Sequence, residues 1–280
     1  MSAVEAELGP RVIPVLCYHS VGPRRVEELQ PWELEPAYFD DQISYLRDVG
    51  YEPVPLRALA AWLRNPASVT IPTHPVVVTF DDGYTNFELA ADILAAHRVP
   101  VTLFVPTAYI DDGSTWFDSP EARRARILSW NALRDLHRGG VEIGSHSHRH
   151  IPLDEQPFRR AKADIVLSKQ LLEDELGEAV RAFAYPYGYY DGRVRRELAR
   201  AGFEYACAVK NWTSGRDDDH LAIARVFPPA AGDLSTFDRV LRLGNRRPRR
   251  REPVQTKAWR MVRRARAQLW RRNATRSALT

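Results

Sequence analysis

The chain has 280 residues and a mass of 32.0 kDa, enough for one large domain or two small ones. Hydrophobic residues make up 44% and charged residues 27%, a balance that excludes a mainly disordered chain, a collagen-like repeat and a coiled coil. The longest apolar runs, such as residues 75–80, are the size of a strand and fall short of the ~18–20 residues of a membrane span. Two cysteines cannot form a disulfide framework.

The positive charge is concentrated at the C-terminus. Residues 242–280 hold fourteen Lys or Arg and one acid, a net of +13, which leaves −9 for residues 1–241 out of the total of +4. The basic balance therefore does not indicate that the body binds nucleic acid. We predict a body over residues 1–244 and a basic tail over residues 245–280.

The body alternates short β-branched apolar runs with longer helical patterns, which is typical of a βα-repeat fold with a parallel sheet. In chain order the sequence predicts a strand over 12–18, a helix over 36–49, a strand over 76–80, a helix over 86–97, a strand over 101–105, a helix over 130–138, a strand over 141–144, a helix over 157–176, a strand over 181–184, a helix over 192–201, and strands over 205–209 and 223–226. About seven strands in roughly 240 residues suit a (β/α) barrel. An open doubly wound sheet is the alternative, although no GxGxxG motif or P-loop follows a predicted strand.

Two carboxylates, Asp81 and Asp82, directly follow the predicted strand 76–80. Barrel enzymes place their active sites at this end of the strands. Adjacent carboxylates repel each other, which costs free energy unless a cation or a proton offsets their charge. A solvated turn is the alternative, since Asp and Gly are common in turns.

Three of the eight histidines, His146, His148 and His150, lie within five residues after the predicted strand 141–144. A single helical turn would place His146 and His150 on one face with the geometry of metal ligands. Two histidines and one carboxylate make a three-ligand set with open positions for water and substrate. Such a set suits metal-assisted hydrolysis or non-haem iron chemistry, and an exposed polar loop is the alternative.

Aromatic residues supply two further candidates. Tyr187 lies in an aromatic, Pro- and Gly-rich strand end that can present a backbone N–H to a developing oxyanion, although a plain turn explains this segment equally well. Trp116 follows the polar loop 111–115 and is our best candidate for contact with substrate. Tyr187 is a second candidate for contact with substrate. The other aromatics near the predicted mouth, Tyr84, Trp130, Tyr189 and Tyr190, could also stack on a substrate ring, and core packing is the alternative for most of these aromatics.

Taken together, these motifs resemble the polysaccharide deacetylase family, the NodB-homology carbohydrate esterases (carbohydrate esterase family 4). The first family motif, TFDDG, stands intact at residues 79–83, and the second, H-[ST]-x-x-H, is matched by HSHRH at residues 146–150. The two come in the family's order, some sixty residues apart, and the resemblance covers roughly residues 10–230.

The resemblance implies a distorted (β/α) barrel that hydrolyses N-acetyl or O-acetyl groups on sugars. It implies that Asp81 is the general base and that Asp82, His146 and His150 bind a divalent metal ion, usually Zn²⁺. His148 is then left over, and we expect it to be exposed.

Three family motifs are altered or missing. The third usually reads R-x-P-[FY], whereas this chain has Ala184-Tyr185-Pro186-Tyr187, so the arginine that orients the base is predicted to be missing. The fourth, around Asp-Trp, has at best Asn211-Trp212. The fifth, Leu-x-His, is absent, since His220 precedes Leu221 and does not fit it.

One subgroup accommodates these departures. The chain resembles the poly-N-acetylglucosamine deacetylases in having Tyr18-His19-Ser20 at the end of its first strand. This resemblance implies that His19 is the general acid, and a histidine at that strand end can face the same mouth as Asp82 and His146. A structural, hydrogen-bonded histidine is the alternative.

The predicted function is a metal-dependent hydrolase that removes acetyl groups from N-acetylated sugars of a polysaccharide or a lipid-linked glycan. Asp81 would take a proton from the attacking water, the Tyr187 N–H would stabilise the oxyanion, and His19 would protonate the leaving amine. An amide hydrolase of the same fold with a non-sugar substrate is one alternative. A carbohydrate-binding protein with a lapsed site is another, favoured by Ala184 in place of arginine.

The tail has its own pattern. Apolar residues recur at helical spacing over 256–272 among many arginines, with Trp259 and Trp270 alongside, which suits the surface of an anionic membrane. A solvated or disordered basic tail is the alternative, and nucleic-acid binding is disfavoured because the body is acidic. Glu5 and Glu7 stand where a signal peptide would be apolar, so we expect a cytoplasmic protein, peripheral on the inner membrane face if the tail binds lipid, and a secreted one if the true start lies upstream.

Overall fold

The computed structural model describes residues 12–23, 27–117, 119–209 and 212–243. The strands are β1 (Val15–Tyr18), β2 (Ser20–Val21), β3 (Glu33–Leu34), β4 (Glu52–Pro53), β5 (Pro75–Phe80), β6 (Val101–Val105), β7 (Glu142–Ser145), β8 (Ala182–Ala184) and β9 (Tyr205–Cys207). The helices are α1 (Pro36–Asp48), α2 (Leu56–Arg64), α3 (Phe87–Ala96), α4 (Pro120–Arg123), α5 (Trp130–Arg138), α6 (Phe158–Leu176), α7 (Gly192–Ala201) and α8 (Leu234–Leu243). Single 3₁₀ turns cover Glu27–Leu29, Leu153–Glu155 and Pro186–Gly188.

The main sheet is parallel, with the order β1-β5-β6-β7-β8-β9, and β4 pairs with the first two residues of β5. All six residues of β5 are buried, as expected for a parallel strand that is covered on both faces. β2 and β3 form a separate parallel pair beside the first strand.

The two edges of this sheet are joined by residues 223–226. Ile223 bridges in parallel to Cys207 of β9, and Val226 bridges in parallel to Leu16 of β1. The Ala208 N–H donates to Ile223 O at 2.8 Å, and the Cys17 N–H donates to Val226 O at 2.9 Å. The sheet is therefore closed into a distorted (β/α) barrel, and the fold expected from the sequence is confirmed.

Alternate residues of β5 enter two different apolar clusters. Val76, Val78 and Phe80 pack in the larger cluster, which includes side chains of the surrounding helices. Val77 packs in the second cluster with Val15 of β1. This second cluster also includes side chains of α2. Asp81 continues the face of Val77, so the strand pattern aims it into the barrel.

The predicted strands and helices all have counterparts in the structure, with most boundaries shifted by a few residues. The first strand begins at Val15 instead of residue 12, and residues 223–226 make single bridges instead of a regular strand. Helices α2, α4 and α8 and the short strands β2, β3 and β4 were not predicted. Among the described helices, none combines the length and the hydropathy that crossing a bilayer requires. The predicted tail over 245–280 lies outside the described residues.

Candidate active site

The predicted catalytic residues meet in one cavity of ≈ 350 Å³ at the carboxyl ends of the strands. Its size is within the range of small-molecule sites. The lining residues are His19, Ser20, Leu29, Trp32, Asp81, Asp82, Tyr84, Trp116, Phe117, His146, His150, Tyr187, Gly188, Tyr189, Val209 and Phe227.

Asp81 is held by a buried arginine, Arg225. Arg225 Nη1 donates to Asp81 Oδ1 and Nη2 donates to Asp81 Oδ2, both at 2.7 Å, and Nη1 also lies 3.2 Å from Thr79 Oγ1. Burial alone would raise the pKa of Asp81, but the guanidinium outweighs it and holds that pKa well below its usual value. Asp81 is therefore an oriented, ionised carboxylate at the floor of the cavity.

Arg225 corrects the sequence prediction that the arginine orienting the base is missing. Ala184 does occupy the position of the motif's arginine, but a guanidinium reaches Asp81 from the segment 223–226 that closes the barrel. One signal in the sequence could have revealed it. An arginine inside the apolar run Ile223–Val226 is expected to be buried, and a buried arginine needs an anionic partner.

Asp82, His146 and His150 form the second part of the site. Asp82 Oδ1 lies 3.6 Å from His146 Nε2 and 3.3 Å from His150 Nε2. His146 Nδ1 donates to Ala184 O at 2.8 Å, which leaves Nε2 as the nitrogen with a free lone pair. Burial lowers the pKa of His146 to about 4, so its imidazole is neutral at pH 7 and able to ligate a metal ion.

These three residues fit a divalent cation. Donors bound to Zn²⁺ at 2.0–2.2 Å in a tetrahedral arrangement lie about 3.3–3.5 Å apart, close to the two separations from Asp82. Within the described chain, Asp82 Oδ1 is buried without a hydrogen-bond partner. Arg225 offsets the charge of Asp81 but leaves that of Asp82, whose pKa is held below its usual value by the nearby imidazoles despite burial. A bound cation would neutralise this remaining charge.

The loop that carries the histidines is not helical, contrary to the prediction of a helical turn. Ser147 and His150 have φ of 65° and 50°, and the His150 N–H donates to Ser147 Oγ at 3.1 Å. Asp164 of α6, which the sequence reasoning missed, holds the loop by accepting from the backbone N–H groups of His148 and Arg149 at 2.8 and 3.0 Å. His146 and His150 therefore converge through a tight turn fixed by a buried carboxylate.

His148 lies apart from the other two histidines. Its Nδ1 is 2.8 Å from Thr107 Oγ1, and the side chain is half-buried instead of exposed as expected. It does not line the cavity.

His19 also lines the cavity, and one of its ring nitrogens lies within 4.8 Å of a carboxylate oxygen of Asp81. Its ring is placed between Trp32 and Phe227, with ring centroids 6.2 and 5.8 Å away. Burial lowers the pKa of His19 despite the two nearby carboxylates. Its Nδ1 is buried and has no hydrogen-bond partner in the part of the chain that the structure describes. This imidazole is therefore surrounded by aromatic rings, and its Nδ1 is not held by a hydrogen bond within the described residues.

Tyr187 and Trp116 form the wall next to His150, with ring centroids 4.8 and 4.6 Å from the imidazole. Tyr187 is 49% exposed and has φ 59°, ψ 7°. Four of the six non-glycine residues with positive φ in the described chain, Asp82, Ser147, His150 and Tyr187, belong to this site. Such conformations persist where the surrounding structure enforces them, typically at functional sites.

The remaining candidate aromatics divide into two groups. Tyr84 and Tyr189 line the cavity, whereas Trp130 and Tyr190 pack against the apolar core. Asn211 of the altered fourth motif lies outside the described residues.

A family model described as polysaccharide deacetylase matches residues 68–206, which contain both intact motifs. The poly-β-1,6-N-acetyl-D-glucosamine N-deacetylase of Staphylococcus epidermidis is 23% identical over 211 residues, covering 72% of this chain and 70% of that protein. The enzyme of the same name from Escherichia coli is 24% identical over 196 residues, which span 59% of this chain but only 29% of the longer protein.

A solved structure shares the fold. The deacetylase PplD of Streptococcus pyogenes, in complex with acetate, superposes with a TM-score of 0.71 at 22% identity, over 83% of this chain and 99% of that one.

Proposed function

We propose that this chain, which belongs to the polysaccharide deacetylase family, is a metal-dependent hydrolase that removes acetyl groups from N-acetylated sugars of a glycan. One observation carries the proposal: the oriented Asp81 carboxylate, the Asp82–His146–His150 set and His19 line the same cavity. A base, a metal-ligand set and an acid are the groups that hydrolysis of an amide requires.

The proposed roles follow from the positions of the side chains. Asp81 accepts the proton of the attacking water, since it is ionised and fixed by Arg225. His19, which also lines the cavity, donates a proton to the leaving amine. The Tyr187 backbone N–H stabilises the oxyanion from a turn in which Tyr187 has left-handed backbone angles.

Asp82, His146 and His150 would hold the metal ion. When bound, the ion lowers the pKa of its water and polarises the acetyl carbonyl. We propose Zn²⁺, because two imidazoles and one carboxylate with an open position are a common catalytic zinc set.

The walls of the cavity suit a sugar. Trp116 and Tyr187 offer aromatic faces beside the metal-ligand set, and the half-exposed Tyr187 ring is accessible from solvent. The buried Tyr84 hydroxyl has no hydrogen-bond partner among the described residues, so it is available to a polar group of the substrate. An N-acetylated glycan is the substrate class that we propose for this surface.

Acetate release from N-acetylglucosamine oligomers tests the proposal. We expect about one metal ion per chain, activity that chelation removes and Zn²⁺ restores, and a loss of about 10²–10⁴-fold in turnover for Asp81→Asn with metal binding retained. Near-normal turnover in Asp81→Asn would overturn the assignment of the base. Metal binding without acetate release from any N-acetylated glycan would favour an amide hydrolase with another substrate. A chain that binds no metal even after zinc loading would favour a carbohydrate-binding protein.

We further propose that the basic segment 245–280 binds anionic membranes and that the enzyme acts at the cytoplasmic face on a lipid-linked glycan. The support is its basic composition with Trp259 and Trp270. Flotation with vesicles containing an anionic lipid should depend on residues 245–280 and weaken with salt. Equal flotation of the full chain and of a chain lacking this segment would refute the membrane role.

A further inference from the structure

A second group of metal-ligand atoms lies beside the proposed zinc set. The Cys17 sulfur, a ring nitrogen of His19 and a carboxylate oxygen of Asp81 lie within 4.8 Å of one another. Cys17 and His19 are two residues apart along β1 and its extension, so they point to the same side, and Tyr18 of β1 is paired with Phe80 next to Asp81. The arrangement thus follows from the register of two neighbouring strands.

Each of the three residues has bonding capacity left. His19 Nδ1 is buried and makes no hydrogen bond within the described residues. The Cys17 thiol makes one long contact, 3.6 Å to Asp81 Oδ2, and it has no part in the proposed hydrolysis. A carboxylate offers about four lone-pair positions, so the two hydrogen bonds from Arg225 do not exhaust Asp81.

We propose that Cys17, His19 and Asp81 form a second site for a thiophilic divalent cation, such as Cd²⁺ or excess Zn²⁺. Sulfur and imidazole donors select these ions over Mg²⁺ and Ca²⁺. On binding, the Cys17 S–H bond breaks, a sulfur–metal bond forms, and the proton leaves to solvent, with no change of oxidation state. Occupation takes a nitrogen of His19 and therefore inhibits the deacetylase, a consequence that rests on the proposed function, whereas the binding itself does not.

The second site is weaker than the first. The Arg225 guanidinium, bound to Asp81, repels a further cation. Burial raises the pKa of the Cys17 thiol well above its usual value, so a metal ion must displace a proton that is firmly held. The first equivalent of metal therefore binds at Asp82, His146 and His150, and the second binds at Cys17.

Cadmium titration of the metal-free full chain tests the binding, since a thiolate–cadmium bond gives an ultraviolet charge-transfer band. The first equivalent should bind without the band, and the second should produce it. Cys17→Ser and Cys17→Ala should both lose the band and the second equivalent. Cys207→Ser removes the other buried thiol and should keep both. A wild-type chain that binds one equivalent only, or a band that persists in both Cys17 variants, would overturn the site.

Acetate release tests the inhibition separately. A second equivalent of Zn²⁺ should inhibit the wild-type chain and Cys207→Ser but spare Cys17→Ser. A band that depends on Cys17 while excess Zn²⁺ leaves turnover unchanged would overturn the inhibition through His19. If the metal-loaded chain releases no acetate from any glycan, the proposed function fails, and the cadmium band still decides the second site.

Discussion

Replacing Arg225 by methionine should destabilise the folded chain, because it leaves the Asp81 carboxylate buried without its cation. Arg225 is fully buried and Asp81 is 3% exposed, so solvent cannot replace the guanidinium. Removing one partner of a buried ion pair costs about 3–5 kcal/mol of unfolding free energy. For a chain of this size the loss corresponds to a fall in Tm of roughly 6–20 °C.

The pH dependence of this loss identifies its cause. In the wild-type chain the folded pKa of Asp81 is lowered, so the stabilisation is fully present above the unfolded pKa of about 3.9 and disappears as pH falls through the folded pKa. Without Arg225, burial raises the folded pKa of Asp81 above its unfolded value. The folded chain then regains stability as pH falls, because the buried carboxyl takes up a proton. The deficit of Arg225→Met should therefore be larger at pH 7 than near pH 4.

Urea denaturation followed by circular dichroism at both pH values measures this deficit. Arg225→Met combined with Asp81→Asn removes the stranded charge and should recover part of the lost stability. Arg225→Lys keeps a cation but not the two-point contact, so its unfolding free energy should lie between those of the wild type and Arg225→Met. An unfolding free energy of Arg225→Met within about 0.5 kcal/mol of the wild-type value at pH 7, or a deficit that does not depend on pH, would refute this explanation.

Two further predictions concern the supports of the site, each with a matched control. Asp164→Asn should weaken metal binding about 10-fold or more in a metal titration, because Asp164 holds the histidine loop, whereas Asp174→Asn on the exposed side of the same helix should not. Gly188→Ala should lower the unfolding free energy by more than Gly177→Ala, for which about 1–2 kcal/mol is expected from the left-handed backbone alone. Both glycines have positive φ, but only at Gly188 would a Cβ meet Val209, at 2.3 Å.

Each comparison has an outcome that contradicts it. Equal metal affinities of the two aspartate variants would mean that the histidine loop keeps its shape without Asp164. Equal losses of stability in the two glycine variants, measured by denaturation, would mean that Val209 yields to the added methyl group.

The strands and the grouping of the candidate site residues could be predicted because their signals are local. Runs such as residues 76–80 are apolar at every position, and the polar residues that carry chemistry come directly after them. Parallel strands present their carboxyl ends at one edge, so Asp82 and His146 were expected to meet. The amphipathic pattern of α2 was equally local and was overlooked.

The partner of Asp81 could not be predicted in the same way. Arg225 is 144 residues away along the chain, and its position depends on how the last segment closes the sheet. The family motif has its arginine at the position of Ala184, where this chain supplies a backbone carbonyl for His146 instead of a guanidinium.

The shape of the histidine loop could also not be predicted from the spacing of its histidines. A spacing of four residues is compatible with a helical turn and with a tight left-handed turn, and the sequence spacing does not distinguish them. Contacts with Asp164, distant in sequence, select the second.

The closure of the barrel by residues 223–226 has a consequence for the order in which the site matures. The metal-ligand set comes from β5 and the loop after β7, so it can assemble once that half of the sheet has formed. Arg225 reaches Asp81 only when residues 223–226 have paired with β9 and β1, and until then the Asp81 carboxylate lacks its counter-charge. Release of this short segment would separate Arg225 from Asp81, the proposed base, while the proposed metal-ligand residues stay in place, so the site is complete only when the barrel is closed.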